Sequence, residues 1–334
     1  MSLNILLTLE EGETRDVFFP PAAMEALRSL GTLTLNGTGE PFAPEELTAA
    51  VAGVDVCVTH WGCPAFTEEV LCHADRLRLI AHAAGSVRGI ASEESYRRGI
   101  KVCSANRVMA QNVAESALAY MLAGLKMIPL HDVGMKQKAL WDRRYREIRN
   151  LRQARIGMIG LGTVGVCLLD LLKPFDVTVK LYDPYIDMDS LKEYPFVASA
   201  GLNETLAYGD IVTLHASLTN ETQGLLSAEK LELIRDGALF VNTARGAIVD
   251  EQALASALAS GRFGAVLDVY TQEPLDPDSP LRGLPNVILQ PHLAGAGVRE
   301  EMTFAMIEEI RRMMNGEPLH YEIPYGKFIH MTGR

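Results

Sequence analysis

Two kinds of segment alternate along this chain, and the alternation restricts its possible folds more than any other feature. Short apolar, β-rich runs are separated by segments with helical periodicity, first over residues 4–103 and again from residue 155. Strands that alternate with helices indicate parallel sheets covered by helices. A length of 334 residues exceeds what one hydrophobic core usually serves, so we expect two α/β domains.

The predicted elements fall into two series. The strands of the first series are predicted at residues 4–9, 54–59, 77–81 and 101–103, and its helices at 22–30, 45–51, 68–72 and 92–98. A long helix over 112–127 follows, and we expect it to end at Pro129. The strands of the second series are predicted at 156–160, 177–183, 211–215, 239–243, 265–269 and 287–290. A helix over 299–314 and an irregular tail complete the chain.

Composition narrows the possible partners. A formal net charge of −11 disfavours nucleic acid as a partner. The five cysteines follow no disulfide-framework spacing, which favours a reduced, cytoplasmic protein. We find no uncharged apolar run of about 18 residues, so we predict no transmembrane helix and no membrane partner. Residues 1–10 are expected to form a first strand rather than a signal peptide.

Two clusters of reactive or charged residues have ordinary structural explanations. Residues 136–155 are rich in arginine, and we expect a solvated connector there. Cys57, His60, Cys63, Cys72 and His73 lack a compact metal-binding spacing, and His60 should lie on the opposite strand face from Cys57. We therefore expect core and loop residues in this second cluster, and no metal.

An apolar run leads directly into a G-x-G-x-x-G sequence formed by Gly160, Gly162 and Gly165. In a strand–turn–helix unit the first glycine permits the tight turn, the second lets the backbone approach a pyrophosphate, and the third lets the helix pack closely. The N–H groups of Thr163 and Val164, at the start of the helix, would then bind the phosphates. This pattern predicts a dinucleotide site.

Asp183 ends the next predicted strand, 18 residues beyond Gly165. An acid at that distance typically accepts hydrogen bonds from the adenosine ribose hydroxyls. The alternative is a polar residue in a turn before Pro184. Because a carboxylate would repel a 2′-phosphate, we predict NAD rather than NADP.

Further polar groups follow later strands of the second series. Arg245 follows the strand at 239–243, Asp268 and Glu273 stand at the end of the strand at 265–269, and His292 follows the strand at 287–290. Ligands of open α/β sheets bind outside the carboxyl ends of the strands. We therefore expect these side chains to face a common site.

Three sequence blocks resemble the signatures of the D-isomer-specific 2-hydroxyacid dehydrogenases. They are N-T-A-R-G at 242–246, D-V-Y-x-x-E-P at 268–274 and P-H-L-A-G at 291–295. L-H-x-x-L-T-x-E-T at 214–222 and N-V-A-E at 112–115 extend the likeness over most of the chain. The resemblance implies two doubly wound parallel-sheet domains with the active site between them. These are a flavodoxin-like substrate domain (1–103 and 298–334) and a Rossmann NAD-binding domain (104–297).

The resemblance also implies an enzyme that interconverts a small 2-keto acid and a D-2-hydroxy acid, with NAD, as a homodimer held mainly through the coenzyme domains. Arg245 offers a planar fork for the substrate carboxylate. His292 is suited to carry the proton, and Glu273 to orient its ring and favour its charged form. Asp268 is assigned to the nicotinamide end by family likeness. His215, Thr222, Thr243 and Ala244 are the other cofactor residues implied.

The predicted substrate loop departs from the family pattern. Relatives hold the carboxylate with N–H groups of a G-x-G loop, and the aligned residues 84–89 read A-G-S-V-R-G. Gly85 and Ser86 retain the donors, but Arg88 stands where an acid is usual. Arg88 either binds a second anionic group of the substrate or turns away, capping the following helix or meeting Glu93 or Glu94. Ser217 likewise replaces a usual proline, so the sequence leaves the acid unnamed.

Two other functions remain alternatives at this point. A relative of this fold can act as an NADH-responsive corepressor that recruits partners, and Arg245, Glu273 and His292 favour catalysis over that role. Chemistry like that of formate dehydrogenase would pair the histidine with Gln, whereas this chain has Glu273.

Overall fold

The computed structural model describes residues 2–137, 147–186, 188–329 and 331. The chain divides into two compact units. The first unit comprises Met1–Met109 and Ala296–Arg334, and the second comprises Ala110–Gly295.

The first unit is built on a five-stranded parallel sheet. Its strands are β1 (Leu3–Leu7), β2 (Gly31–Leu35), β3 (Val56–Thr59), β4 (Leu79–His82) and β5 (Lys101–Ser104). They lie in the order β2-β1-β3-β4-β5, which is the order of flavodoxin-like folds. Its helices are α1 (Glu13–Phe18), α2 (Pro21–Leu30), α3 (Pro44–Ala50), α4 (Glu68–Leu71), α5 (Glu93–Arg97), α12 (Arg299–Asn315) and α13 (Tyr325–Phe328).

Both faces of this sheet are buried, which explains the nearly continuous apolar runs of its central strands. Ile5 and Leu7 pack with Leu27 of α2 and Met306 of α12 on one face. Leu6 points to the other face, where it joins the core formed with α3 and α4. The C-terminal stretch therefore completes the core of a unit begun by the N-terminal stretch.

The second unit is built on a seven-stranded parallel sheet. Its strands are β6 (Arg155–Ile159), β7 (Thr178–Tyr182), β8 (Val197–Ser199), β9 (Ile211–Leu214), β10 (Leu239–Asn242), β11 (Gly264–Leu267) and β12 (Val287–Leu289). The order β12-β11-β10-β9-β6-β7-β8 is that of a Rossmann sheet with one additional strand. Its helices are α7 (Ile128–Lys136), α8 (Thr163–Leu172), α9 (Leu202–Tyr208), α10 (Ala228–Leu231) and α11 (Glu251–Ala259). A longer helix, α6 (Asn106–Leu125), begins in the first unit and continues into the second.

The predicted fold class, α/β with two doubly wound parallel sheets, is confirmed. Several elements differ from the prediction. β2 and β8 were not predicted, because both are edge strands with incomplete burial and therefore lack an apolar run. The long helix ends at Leu125, and Pro129 lies in the first turn of α7, where its missing N–H costs no hydrogen bond. The tail contains α13, which Pro324 precedes as N-cap.

The arginine-rich connector is solvated in part where the structure describes it. Arg152 forms an ion pair of 2.8 Å with Asp176, and the two side chains are 64% and 59% exposed. Arg155 forms an ion pair of 2.7 Å with Asp210, and the partly buried Arg149 donates to the Asp210 carbonyl oxygen at 3.3 Å. Arg149 and Arg155 therefore bind the start of the second unit's sheet, whereas Arg152 is solvated as expected. Arg143, Arg144 and Arg146 lie outside the described residues.

Within the described ranges, no single helix is long and apolar enough to cross a membrane. Helices α6 and α7 together reach the required length and composition, but a bend of 58° separates them.

Candidate functional site

The glycine-rich turn lies between β6 and α8, as the sequence predicted for a strand and a helix. Gly160 has a φ of 88°, and a Cβ there would lie 2.5 Å from the backbone of Ala216, so only glycine fits. A Cβ on Gly165 would lie 3.0 Å from the Gly160 carbonyl oxygen, which keeps α8 close to the strand. The turn leaves the first N–H groups of α8, those of Thr163 and Val164, without acceptors inside the helix.

The carboxylate of Asp183 stabilises this turn through hydrogen bonds. One of its oxygens accepts from the Leu161 N–H at 2.8 Å, and the other from the Tyr185 N–H at 2.9 Å. The side chain is partly exposed, so its remaining lone pairs can accept from a ligand. Tyr185 in turn donates its hydroxyl to Glu221, which places a second carboxylate nearby.

Several buried side-chain polar atoms of the described residues have no hydrogen-bond partner, and two of them lie just beyond the carboxyl ends of strands in the second unit. They are Nδ1 of His215, after β9, and Oγ1 of Thr243, after β10. Burial lowers the pKa of His215 to about 4, so the ring is neutral at pH 7, and its Nε2 shares a hydrogen bond of 2.9 Å with Thr213. Buried polar groups are normally hydrogen-bonded. A polar ligand at this edge would supply the missing partners.

The loop after His215 is closed by its own side chains. The Thr222 hydroxyl donates to the Ser217 carbonyl oxygen at 2.6 Å and accepts from the Thr219 N–H at 2.7 Å. Thr222 therefore shapes the loop and is half-buried.

Arg245 follows β10 in a turn that Asn242 organises. The buried Asn242 amide accepts from the Ala244 N–H at 2.9 Å and donates to the Arg245 carbonyl oxygen at 3.2 Å. The exposed guanidinium donates to the Ala244 carbonyl oxygen at 2.7 Å, which leaves its other donors for a ligand. A Cβ on Gly246 would lie 1.9 Å from the Tyr270 carbonyl carbon, so the loops after β10 and β11 meet backbone to backbone.

His292 and Glu273 form a hydrogen-bonded pair. Nδ1 of His292 lies 2.6 Å from one Glu273 oxygen, and the other oxygen accepts from the Tyr270 N–H at 3.0 Å. The two side chains are 48% and 36% exposed, so the pair is open on one side. The φ of His292 is 54°, a left-handed conformation that is uncommon for a non-glycine residue and that often marks functional sites.

Asp268 lies beneath the His292 loop and is only 1% exposed. Its carboxylate accepts from the N–H groups of Leu293 and Ala294, each at 3.0 Å, and from the Tyr120 hydroxyl at 3.2 Å. Burial, and then the charge of Asp268, raise the pKa of Tyr120, so the phenol stays protonated as a donor.

The predicted substrate loop lies in the first unit, after β4. The buried Ser104 hydroxyl contacts the Gly85 carbonyl oxygen and lies 3.2 Å from that of Ala84. Gly85 is buried, whereas Ser86 is exposed and accepts from the Arg88 N–H at 3.3 Å. Ser104 thus fixes the loop through its carbonyl groups.

Arg88 contacts an aromatic ring instead of Glu93 or Glu94, and its contact with a second anionic group of the substrate stays a prediction. Its guanidinium carbon is 4.8 Å from the centre of the Phe328 ring. Glu94 is bound by Arg97 at 2.7 Å and by Arg98 at 2.6 Å. The expected contact of Arg88 with Glu93 or Glu94 is therefore replaced by a cation–π contact with the C-terminal helix.

The second unit brings together most of the predicted residues. Arg245, Glu273 and His292 follow β10, β11 and β12, which are neighbours in the sheet. The glycine turn, Asp183 and His215 follow β6, β7 and β9 at the same edge. Gly85, Ser86 and Arg88 belong to the first unit.

The cysteine–histidine cluster offers no metal site. Within the described chain, no group of three or more His, Cys, Asp or Glu side chains could hold an ion. His60 lies just beyond β3 rather than inside a strand, so the face argument does not apply to it. Its ring packs 4.2 Å from that of Phe18 and 4.6 Å from that of Trp61. Burial lowers the pKa of His60 to about 4 and raises that of Cys63 to about 12.

Sequence reasoning assigned no role to three residues that shape the site. Asn242 follows a strand directly, a position that favours side-chain turns and could have been recognised. Tyr270 donates its hydroxyl to the carbonyl oxygens of Leu267 at 3.0 Å and Gln290 at 2.9 Å. No sequence pattern indicates the Tyr270–Gln290 contact or the one that Ser104 makes, because each joins the ends of two neighbouring strands.

A family model described as the D-isomer specific 2-hydroxyacid dehydrogenase, NAD binding domain, matches residues 118–294, just over half of the chain. The chain belongs to the D-isomer specific 2-hydroxyacid dehydrogenase family. The predicted family is thereby confirmed, and NAD is the cofactor of the matched domain.

Named proteins are similar to this dehydrogenase-family chain over most of its length. D-3-phosphoglycerate dehydrogenase of Archaeoglobus fulgidus is 36% identical over 254 residues, 75% of this chain and 48% of that protein. Glyoxylate reductase of Thermofilum pendens is 34% identical over 256 residues, 75% of each chain. A solved phosphoglycerate oxidoreductase of Rhizobium etli is 27% identical, with a TM-score of 0.81 over 96% of this chain and 98% of that one.

The chain spans about half the length of the curated D-3-phosphoglycerate dehydrogenases that it matches, 48% to 56%. The activity and the substrate of the longer relatives are therefore only proposals for this chain.

Proposed function

We propose that the protein is an NAD-dependent D-2-hydroxyacid dehydrogenase, which interconverts a 2-keto acid and a D-2-hydroxy acid by hydride transfer. The observation that carries this proposal is the His292–Glu273 pair at 2.6 Å, on the loops after β12 and β11, with Arg245 on the loop after β10, the neighbour of β11. A proton carrier oriented by a carboxylate and a free guanidinium fork are what reduction of a 2-keto acid requires from the protein.

The cofactor residues that we propose all follow strands of the second unit. Gly160, Gly162, Thr163, Val164 and Gly165 would bind the pyrophosphate through the glycine turn and the start of α8. Asp183 would accept from the adenosine ribose. His215, Thr222, Thr243, Ala244 and Asp268 would line the rest of the site. The unpartnered atoms of His215 and Thr243 support this fit.

The proton and the carboxylate are handled by the chain itself. NADH, held by the glycine turn and Asp183, would supply the hydride. Because Nδ1 of His292 is held by Glu273, Nε2 is the atom that gives the proton to the keto oxygen. Arg245 binds the carboxylate and polarises the carbonyl through the donors that Ala244 does not use. In the oxidation direction, His292 takes the proton back.

We assign the substrate-domain role to the first unit and the coenzyme-domain role to the second. Gly85 and Ser86 would hold the substrate carboxylate through N–H groups that Ser104 does not engage. Arg88 would meet a second anionic group only by leaving Phe328.

A screen with NADH tests the activity and names the acid. Glyoxylate, hydroxypyruvate, phenylpyruvate and branched 2-keto acids would be tested for NADH oxidation, and 3-phosphoglycerate with NAD in the other direction. The names of the similar proteins favour glyoxylate and 3-phosphoglycerate as first choices. NADH binding without turnover of any acid would contradict an enzyme and return attention to an NADH-responsive binding protein, which the enzyme names of the relatives do not favour.

We also propose a homodimer. Its support in this chain is α7, a short helix with three exposed apolar residues: Ile128, Val133 and Met135 are 54%, 48% and 56% exposed. Light scattering should give about twice the chain mass of 36.5 kDa at micromolar concentration. A mass of one chain would contradict the proposal.

A further inference from the structure

Helix α6 is bonded to the loop that carries His292. The Ser116 hydroxyl donates to the Ala294 carbonyl oxygen at 3.0 Å. Four residues later, one helical turn along the same face, the Tyr120 hydroxyl donates to Asp268 at 3.2 Å. Asp268 accepts from the Ala294 N–H at 3.0 Å. Both polar groups of Ala294 are therefore held by side chains.

Donors of the protein use most of the hydrogen-bonding capacity of the Asp268 carboxylate. Its Oδ1 accepts from the Leu293 N–H and the Tyr120 hydroxyl, and its Oδ2 accepts from the Ala294 N–H. A carboxylate offers about four lone-pair sites, so about one remains for a ligand. The side chain is also only 1% exposed. These contacts indicate that Asp268 mainly holds the His292 loop and that its role at the cofactor is secondary.

His292 needs such support because its backbone lies in a costly region. A non-glycine residue at a φ of 54° persists only where neighbouring contacts fix it. The contacts that fix the residues after it come from Asp268 and Ser116, and Tyr120 in turn holds Asp268. A short hydrogen bond to Glu273 at 2.6 Å also demands an accurate ring position.

We infer that Ser116 and Tyr120 are positioning residues, which act through Asp268 and Ala294 to hold His292 in its bond with Glu273. This inference rests on the proposed proton transfer by His292. Its physical basis is geometric, because the rate of proton transfer falls steeply when the donor is displaced from the acceptor. A loosened His292 loop would therefore lower kcat while the binding surfaces stay in place.

Two mild variants test the inference. Tyr120→Phe removes one hydroxyl, and Ser116→Ala removes the other contact. For each we expect kcat to fall about tenfold, with KM for NADH and for the acid changing less than about twofold. Tyr194→Phe is the matched control, because Tyr194 is a buried tyrosine of the same unit whose hydroxyl donates to Asp170 at 3.0 Å. A loss of kcat in the control as large as in Tyr120→Phe would overturn the inference.

A double-mutant cycle with His292→Ala distinguishes an effect of Tyr120 that acts through His292 from a general effect on the protein. If Tyr120 acts through His292, Tyr120→Phe should have almost no further effect on the residual turnover of His292→Ala. A tenfold loss in both backgrounds would show that Tyr120 acts elsewhere, and would overturn the inference while leaving the proposed role of His292 intact.

A measurement without substrate keeps the two proposals distinguishable. In proton NMR, the His292 Nδ1–H held by Glu273 should give a downfield signal, identified by its loss in His292→Ala. We expect Tyr120→Phe and Ser116→Ala to broaden this signal through faster exchange with water, and Tyr194→Phe to leave it sharp. An unchanged signal in both test variants overturns the inference, whether or not the protein turns over any acid.

Discussion

The loop that carries His292 and the loop that carries Gly85, Ser86 and Arg88 both follow parallel strands, but they are fixed in different ways. The His292 loop is held at its N–H groups by the buried Asp268, and by helix α6. The other loop is held at its carbonyl oxygens by Ser104, and its Ser86 and Arg88 side chains are exposed.

The two loops therefore serve different tasks: the His292 loop serves proton transfer, and the loop of residues 84–89 serves substrate recognition. A loop whose backbone is held at both an N–H and a carbonyl group, by Asp268 and Ser116, keeps one atom in one place, as proton transfer needs. A loop held at its carbonyl oxygens keeps its shape while its outward side chains vary. We therefore expect substitutions in the His292 region to change kcat, and substitutions at residues 86–88 to leave kcat nearly unchanged. The five predictions below test that division.

The largest effect is expected from His292→Ala. Loss of the proton carrier should lower kcat by roughly 10²–10⁴, while NADH binding stays near normal. Steady-state kinetics and a fluorescence titration with NADH measure the two quantities. Near-normal turnover would remove His292 from the mechanism.

Arg245→Lys should be the next most damaging change. A lysine retains the charge but cannot bind a carboxylate through a planar fork, so we expect KM to rise and kcat to fall, with kcat/KM reduced on the order of 10²-fold. Separate fits of kcat and KM for one acid check this. An effect on the NADH KM alone would place Arg245 at the cofactor instead.

Glu273→Gln should lower kcat on the order of tenfold, because a neutral amide holds Nδ1 of His292 less firmly than the carboxylate 2.6 Å away does. The KM for NADH should change less than about twofold, since Glu273 contacts the histidine. Steady-state kinetics with one acid measure both constants. An unchanged kcat would show that the 2.6 Å contact has no part in catalysis.

Asp183→Ala should alter cofactor choice rather than chemistry. The unmodified protein should prefer NADH over NADPH, and the variant should narrow that preference about tenfold, because a carboxylate beside the ribose repels a 2′-phosphate. The ratio of kcat/KM values for the two cofactors is the measurement. A preference for NADPH in the unmodified protein would contradict the role of Asp183.

Arg88→Ala should have the smallest effect. Because the guanidinium lies over Phe328, we expect KM to change by less than about threefold for both a monoanionic and a dianionic acid. A selective tenfold rise for the dianionic acid, about 1.4 kcal/mol, would instead show that Arg88 reaches a distal anionic group.

The sequence predicted the central strands and the polar residues that follow them, because buried parallel strands carry continuous apolar runs and because Gly160 and its neighbours have a spacing that only a tight turn requires. It did not predict β2 and β8, whose partly exposed edge positions lack such runs. Nor did it predict α7, where Pro129 begins a helix rather than ending one.

Within the site, the sequence identified the groups suited to the chemistry but not the groups that hold them. Arg245, Glu273 and His292 have residue types that the reaction demands. Tyr120 and Ser104 act through contacts with residues 148 and 19–20 positions away, and no local spacing encodes such contacts. Arg88 was expected either at a second anionic group of the substrate or turned toward the following helix, and it contacts Phe328, whose neighbourhood depends on how the distant C-terminal segment packs.

For anyone redesigning this protein, the close approach of Gly246 to the Tyr270 backbone determines which residues can be varied. A side chain at position 246 would collide with the backbone at 1.9 Å, and the collision would displace the segments bearing Arg245 and Glu273 together. Gly89, by contrast, has no atom within 4 Å of where its Cβ would lie. Libraries aimed at a new acid should therefore randomise residues 86–89 and leave 242–246 untouched.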